Sequence, residues 1–178
     1  MVIAIIAVLA AVIAPNVFQA TEKSKIANCI STLRAIRAAA FAFYADIGNL
    51  PCSKAGGWGK DPGFVQQITA ATCWPVEGGC NPGCIYIPRW DGPYLEKWPE
   101  ISPWRKGGGG KYNWNRWDGF FGCTRLGTVT LEIYGAIPQQ SLQRIDQILD
   151  DGDLTKGGIY VYSAPPYEFL NYNAACYD

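Results

Sequence analysis

The chain has 178 residues, a length that suits one compact domain with an extended element and not two full domains. Its 15 basic and 15 acidic side chains cancel, so no net charge draws it to nucleic acid, and we expect no nucleic-acid partner. Histidine is absent, which removes the commonest general base and the commonest transition-metal ligand, and we therefore expect a protein that is not an enzyme.

The first predicted element is an apolar helix. Residues 1–14 contain no charged or polar side chain, but a helix of this length reaches only about 21 Å, whereas the hydrocarbon core of a bilayer is about 30 Å thick. A buried core helix and a secretory signal peptide are two explanations, although the signal peptide would need a basic first segment. We favour a third, a membrane helix whose first residues lie upstream of Met1.

The helix is predicted to continue to residue 47, because Gly48, Asn49 and Pro51 are the first strong stop signals after Pro15. Pro15 itself removes one backbone hydrogen bond and crowds the carbonyl four residues earlier. We therefore expect a kink or a locally melted turn at residues 12–15.

An apolar stripe marks the second half of this helix. Its members recur at alternating steps of three and four residues, the spacing of one helical face. They are Ile26, Cys29, Leu33, Ile36, Ala40, Phe43 and Ile47. Arg34, Arg37 and Asp46 lie off the stripe, so one face of this half is predicted to pack on a globular body. The chain thus divides into an apolar helix half (1–25), an amphipathic helix half (26–50) and a head (51–178).

The head is predicted to be rich in loops, because glycine and proline cluster after residue 51 and all seven tryptophans fall within residues 58–117. Two strands are predicted at residues 128–135 and 158–163, paired in one sheet, from their β-branched and aromatic residues. A short helix at residues 138–149 lies between them, with Leu142, Ile145, Ile148 and Leu149 on one side. The fold class is therefore α+β.

Six of the seven cysteines fall in the loop-rich head, a pattern typical of disulfide bonds and hence of an oxidising compartment. The six candidates are Cys52, Cys73, Cys80, Cys84, Cys123 and Cys176. Zinc is the alternative at Cys80 and Cys84, but no second close pair and no histidine follow. The pairing stays open, and Cys29, within the helix, is predicted to be a small buried apolar residue.

Three segments resemble type IV pilins and the pseudopilins of type II secretion. Residues 1–25 (MVIAIIAVLAAVIAPNVFQATEKSK) are similar to the N-terminal helix of that family, including the Pro-Asn step and the charged residues after it. Residues 91–105 (DGPYLEKWPEISPWR), followed by KYNW, and residues 137–158 (IPQQSLQRIDQILDDGDLTKGG) are similar to segments of the family's head. The resemblance implies the type IV pilin fold, a long helix kinked near Pro15 and packed on a small antiparallel sheet within a disulfide-stapled head.

The resemblance also implies how the chain would work. By register, about seven mature residues, among them the glutamate the family uses in docking, would precede Met1 and bring the span to the about 20 residues a membrane helix needs. The implied partners are other copies of the chain, the inner membrane before assembly, and the pilus or secretion assembly machinery. The implied assembly residues are Met1, Val2, Ile3, Ile5, Ile6, Val8, Leu9, Val12, Ile13, Pro15, Val17 and Phe18.

Three functions follow as expectations. The first is a structural subunit of an extracellular type IV pilus-like filament, and the second is a major pseudopilin of a type II secretion system. The third is a membrane-anchored adhesin that binds glycans with its tryptophans, although we favour tryptophans that pack the head. No cofactor is expected except calcium, for which Asp150, Asp151 and Asp153 offer hard oxygen ligands in a turn, unless this is a solvated acidic turn.

Overall fold

A long helix, a four-stranded sheet and a short second helix make up the described fold. The computed structural model describes residues 2–53, 59–69, 71–73, 89–105, 110–120, 123–134, 137–164 and 167–177; within helices and strands its side chains are described except at 2, 4–16, 117–120, 123–126, 131–134, 162–164, 167–168 and 177. The elements in chain order are α1 (Val2–Ile47), β1 (Lys111–Phe120), β2 (Cys123–Tyr134), α2 (Gln139–Leu149), β3 (Ile159–Ala164) and β4 (Tyr167–Tyr177). The predicted α+β class is confirmed.

The first helix ends where the sequence predicts. Ile47 is its last residue, and Gly48 follows with φ +75°, a conformation open to glycine, while the Gly48 amide still donates to the Tyr44 carbonyl at 2.7 Å. At Pro15 the prediction of a melted turn is wrong, because α1 continues through this residue without a break. The loss of a single backbone hydrogen bond inside a helix of 46 residues does not end it. A kink near Pro15 stays a prediction.

The amphipathic pattern in the second half of α1 is confirmed. Six of the seven stripe residues are buried, Ile26 is half-buried against the same core, and Arg34, Arg37 and Asp46 are exposed. The buried face meets side chains from all four strands and from α2 in one hydrophobic core, among them Trp114, Val129, Ile145, Ile159 and Leu170. The second half of α1 therefore organises the head.

The sheet is antiparallel, with the strand order β1-β2-β4-β3. Both predicted strands belong to it, as parts of β2 and β3, but they are not neighbours because β4 lies between them. Neither β1 nor β4 was predicted as a strand from the sequence. Polar side chains join β4 to β2, since the Thr130 hydroxyl donates to Asn171 Oδ1 at 2.8 Å and accepts from Asn115 Nδ2 of β1 at 2.9 Å. Thr128 donates in the same way to Asn173 at 3.4 Å.

The described residues between α1 and β1 contain turns and bends without a strand or an α-helix, as predicted for the loop-rich part of the head. Asp61 organises one of these turns, because its carboxylate accepts from the backbone amides of Phe64, Val65 and Gln66 at 2.8 to 3.0 Å. The turn places the Phe64 ring, which is fully buried, between the rings of Phe43 and Trp114. Loop residues thus supply part of the core.

Candidate functional site

The N-terminal part of α1 carries the predicted assembly residues. The side chains of Ile3, Val17 and Phe18 are 84%, 54% and 74% exposed. Met1, and the side chains of the other predicted assembly residues, lie outside the described residues. Burying a large apolar side chain gains about 1.5–3 kcal/mol, so these three side chains offer surface that another molecule could cover.

One segment with described side chains is long and apolar enough to cross a membrane by length and composition. It is Val17–Ile47, which contains an 18-residue window with a mean hydropathy of 1.2, and 39% of that window is buried within the protein. A buried core helix passes the same test, and the second half of α1 is such a helix. The exposed apolar residues that precede the head, and not this segment, are therefore the part of α1 that distinguishes it from a core helix.

Glu22 lies where α1 meets the head. Its Oε1 atom accepts hydrogen bonds from Trp104 Nε1 in the loop before β1 and from Ser141 Oγ in α2, both at 2.6 Å, and its Oε2 lies 3.4 Å from Lys25 Nζ. Partial burial acts to raise the pKa of Glu22, but the bonds from Ser141 and Trp104 and the pairing with Lys25 hold it below its usual value. An ionised Glu22 therefore joins the helix to two separate parts of the head.

Removing this carboxylate should loosen the junction. We expect Glu22→Ala to lower the free energy of unfolding by about 2 kcal/mol at neutral pH, because hydrogen bonds to charged groups contribute about 1.5–3 kcal/mol. The pKa of Glu22 is lowered from 4.5, so its contribution is fully present above pH 4.5 and is lost as the pH falls through the folded-state pKa. Urea unfolding at neutral pH and at about pH 3 measures both effects. Glu22→Gln keeps one acceptor oxygen and should lose less; an equal, pH-independent loss in both variants would contradict the prediction.

An acidic cluster lies at the C-terminal end of α2. Carboxylate oxygens of Asp146, Asp150 and Asp151 all lie within 4.8 Å of one another. Asp150 and Asp151 belong to the predicted calcium set, whereas Asp146 was missed. The third predicted member, Asp153, has other partners: it accepts from the Thr155 hydroxyl at 2.6 Å and pairs with Lys156 at 3.2 Å. The calcium prediction itself stays a prediction, with its residue set altered.

Asp146 is fully buried, unlike the two aspartates of the turn. Burial raises the pKa of its carboxyl to about 6, the negative charges of Asp150, Asp151 and Asp153 add to the rise, and the Gly152 amide offsets part of it. A signal for this residue exists in the sequence. Asp146 follows Leu142 by four residues and precedes Leu149 by three, so it lies on the apolar side of the predicted helix.

The cysteines divide into a free buried thiol and bonded residues. Cys29 is free and fully buried, as predicted, and burial raises the pKa of its thiol to about 12, which keeps it protonated and unreactive at neutral pH. Cys52, Cys73 and Cys176 are disulfide-bonded. Cys80, Cys84 and the side chain of Cys123 lie outside the described residues, and the pairing of the six stays a prediction.

The tryptophans with described side chains pack the head. Trp98, Trp104 and Trp114 are at most 7% exposed and belong to the main core, and Trp90 packs against it at its edge. Trp58, Trp74 and the side chain of Trp117 lie outside the described residues. The packing interpretation is therefore confirmed for three tryptophans, which leaves their rings unavailable to a glycan.

Two features define a pilin-like protein. The second half of a long helix packs on a four-stranded antiparallel sheet, and the large apolar side chains described in the N-terminal part of that helix are exposed. Residues 20–120, more than half of the chain, match the family described as PilW, C-terminal. The chain therefore belongs to this family, which is associated with type IV pilus biogenesis. The match starts after the apolar run and shares only residues 20–25 with the N-terminal resemblance. Searches of curated proteins and of solved structures each found no match.

Proposed function

We propose that this chain is a structural subunit of an extracellular type IV pilus-like filament that polymerises through the N-terminal part of α1. The observation that carries the proposal is the contrast within this one helix. Its second half is buried against the head, while Ile3, Val17 and Phe18 in its first half expose large apolar side chains. The family's association with type IV pilus biogenesis supports the same role.

The length of α1 before its first described hydrogen bond to the head fits this role. The first described hydrogen bonds between α1 and the head are those of Glu22. Residues 2–21 precede it in the helix, and at about 1.5 Å per residue they extend about 30 Å, the thickness of the hydrocarbon core of a bilayer. A precursor could therefore be held in the inner membrane by this part of α1 while the head stays in water.

Assembly would exchange one apolar environment for another. The N-terminal parts of α1 from many copies would leave the lipid and pack together at the filament centre, where exposure to water costs about 25 cal/mol per Å² of apolar surface. A head-to-tail contact that does not close on itself grows into a helical polymer. On this proposal the role of the chain is structural and not catalytic, and the absence of histidine supports it.

Electron microscopy tests the location of the chain. Cells that produce it would be sheared, and the released material labelled with gold-coupled antibody against the head. We expect gold along the length of long surface filaments. Gold confined to the cell envelope would contradict the proposal, and short filaments that remain in the periplasm would instead favour the secretion pseudopilin.

A further inference from the structure

We infer that the C-terminal end of α2 binds a hard divalent cation of the Ca²⁺ type through Asp146, Asp150 and Asp151. This inference does not depend on the proposed function. Carboxylate oxygens of the three residues lie within 4.8 Å of one another, on the last turn of α2 and the turn that follows it. Clustered acids alone would not make a cation site, but Asp146 adds a second feature, because its carboxylate is buried and has no hydrogen-bond partner among the described residues.

Asp146 is buried without a counter-charge. Its exposure is 0%, and neither Oδ1 nor Oδ2 has a hydrogen-bond partner among the described residues; the nearby Gly152 amide does not reach hydrogen-bond geometry. The ion pairs formed by described residues do not involve it, and Lys156, the closest basic residue in sequence beyond the turn, pairs with Asp153. A buried carboxylate without a partner costs several kcal/mol, and a bound cation removes that cost.

The chemistry and spacing of the donors select the ion. All three ligands are carboxylate oxygens, which suit hard cations and not the softer metals that prefer nitrogen or sulfur. Oxygens bound to one Ca²⁺ at about 2.3–2.6 Å can lie up to about 5 Å apart, whereas the shorter distances of Mg²⁺, about 2.0–2.1 Å, require a tighter set. The three oxygens lie within 4.8 Å of one another, which one Ca²⁺ ion can span.

The turn holds the two exposed carboxylates in place. Asp150 Oδ2 accepts from the amides of Gly158 at 2.5 Å and Ile159 at 3.3 Å, and Asp151 Oδ1 accepts from the amide of Asp153 at 2.8 Å. In each of these two carboxylates, one oxygen thus accepts hydrogen bonds from backbone amides. These bonds fix the orientation of the side chain and leave the other oxygen for an ion. Because Ile159 begins β3, a bound cation would tie the end of α2 to the sheet.

Direct binding of Ca²⁺ tests the inference. The full chain, purified in detergent and stripped of metal, would be titrated with CaCl₂ by calorimetry, and its thermal unfolding followed in parallel. We expect saturable binding with a dissociation constant of about 10⁻⁴–10⁻³ M, the range of extracellular calcium modules, and a rise in the unfolding temperature that follows the same curve. Mg²⁺ at equal concentration should give a smaller rise.

Three variants assign the ligands. Asp146→Asn, which keeps the shape of the side chain, and Asp151→Asn, on the exposed turn, should each weaken Ca²⁺ binding at least about tenfold; the second keeps the test valid if the first fails to fold. Asp153→Asn is the matched control, because the Asp153 carboxylate pairs with Lys156, and it should weaken binding much less than either ligand variant. The inference is overturned by a wild-type chain without saturable binding up to about 10 mM Ca²⁺. Equal affinity in Asp146→Asn and the wild type would overturn it as well.

Discussion

Replacing Phe18 by aspartate should reduce incorporation of the chain into filaments by at least about tenfold. Phe18 is 74% exposed and precedes the first described hydrogen bond between α1 and the head, at Glu22, so the substitution leaves the head intact. Phe18 lies near the head end of residues 2–21, so an aspartate there should cost less than the about 2.5–3.5 kcal/mol of a helix centre, and a tenfold change in an equilibrium corresponds to about 1.4 kcal/mol. The cost recurs in every subunit of a polymer.

The neighbouring residue supplies the matched control for this experiment. Gln19 is also exposed, is already polar, and points about 100° away around the helix, so Gln19→Asp introduces the same charge at nearly the same depth. Immunoblots of sheared filaments, divided by the total cell content, measure incorporation for each variant. Phe18→Leu should assemble normally. Equal yields for Phe18→Asp and the wild type would exclude this part of α1 from the filament core.

The helices could be predicted from the sequence because their signals are local. The α1 stripe from Ile26 to Ile47 and the end at Gly48 depend only on spacing along the chain, and both match the structure. Pro15 shows the limit of a local rule, since a proline predicts a kink or a locally melted turn, and α1 does not melt at this residue.

The fourth strand could not be predicted in the same way. Asn171 and Asn173 interrupt the apolar alternation that indicates a strand. In the sheet they lie opposite Thr130 and Thr128, whose hydroxyls donate to the asparagine amide oxygens. The partners are more than forty residues apart in the chain. The hydrogen bonds that satisfy these asparagine side chains form only when β2 and β4 are paired in the sheet.

The members of the acidic cluster could not be predicted from the sequence alone either. Asp150, Asp151 and Asp153 are close in sequence, and proximity alone suggested that they act together. The structure instead joins Asp150 and Asp151 to Asp146, one helical turn earlier, and pairs Asp153 with Lys156. Helical spacing placed Asp146 on the buried side of α2. Charged residues are almost never fully buried without a partner, however, so the sequence pattern did not identify Asp146 as a member of the acidic cluster.

Trp114→Ala should cost about 4 kcal/mol of unfolding free energy, because truncation of a buried tryptophan costs about 3–5 kcal/mol. The ring is 1% exposed, its Nε1 donates to the Pro51 carbonyl at 2.9 Å, and it meets the Phe64 ring edge-on at a centroid distance of 5.0 Å. The ring therefore connects β1 to the end of α1 and to the loops. Urea unfolding followed by circular dichroism measures the loss. Ile101→Ala, at a side chain 55% exposed, is the control and should change stability by less than about 0.5 kcal/mol.

A substitution at Gly127 tests whether the packing around the Trp114 ring is too tight to admit an added methyl group. A Cβ atom at this position of β2 would lie 2.4 Å from the Trp114 ring, so Gly127→Ala should destabilise the wild type by about 1–3 kcal/mol through overpacking. In the Trp114→Ala background the ring is gone, and the same methyl group should cost little or fill part of the void. A double-mutant cycle should therefore give a coupling energy of at least about 1 kcal/mol. Additive losses would mean that the ring can move aside, and that the cost of Gly127→Ala arises in the strand itself and not from its contact with Trp114.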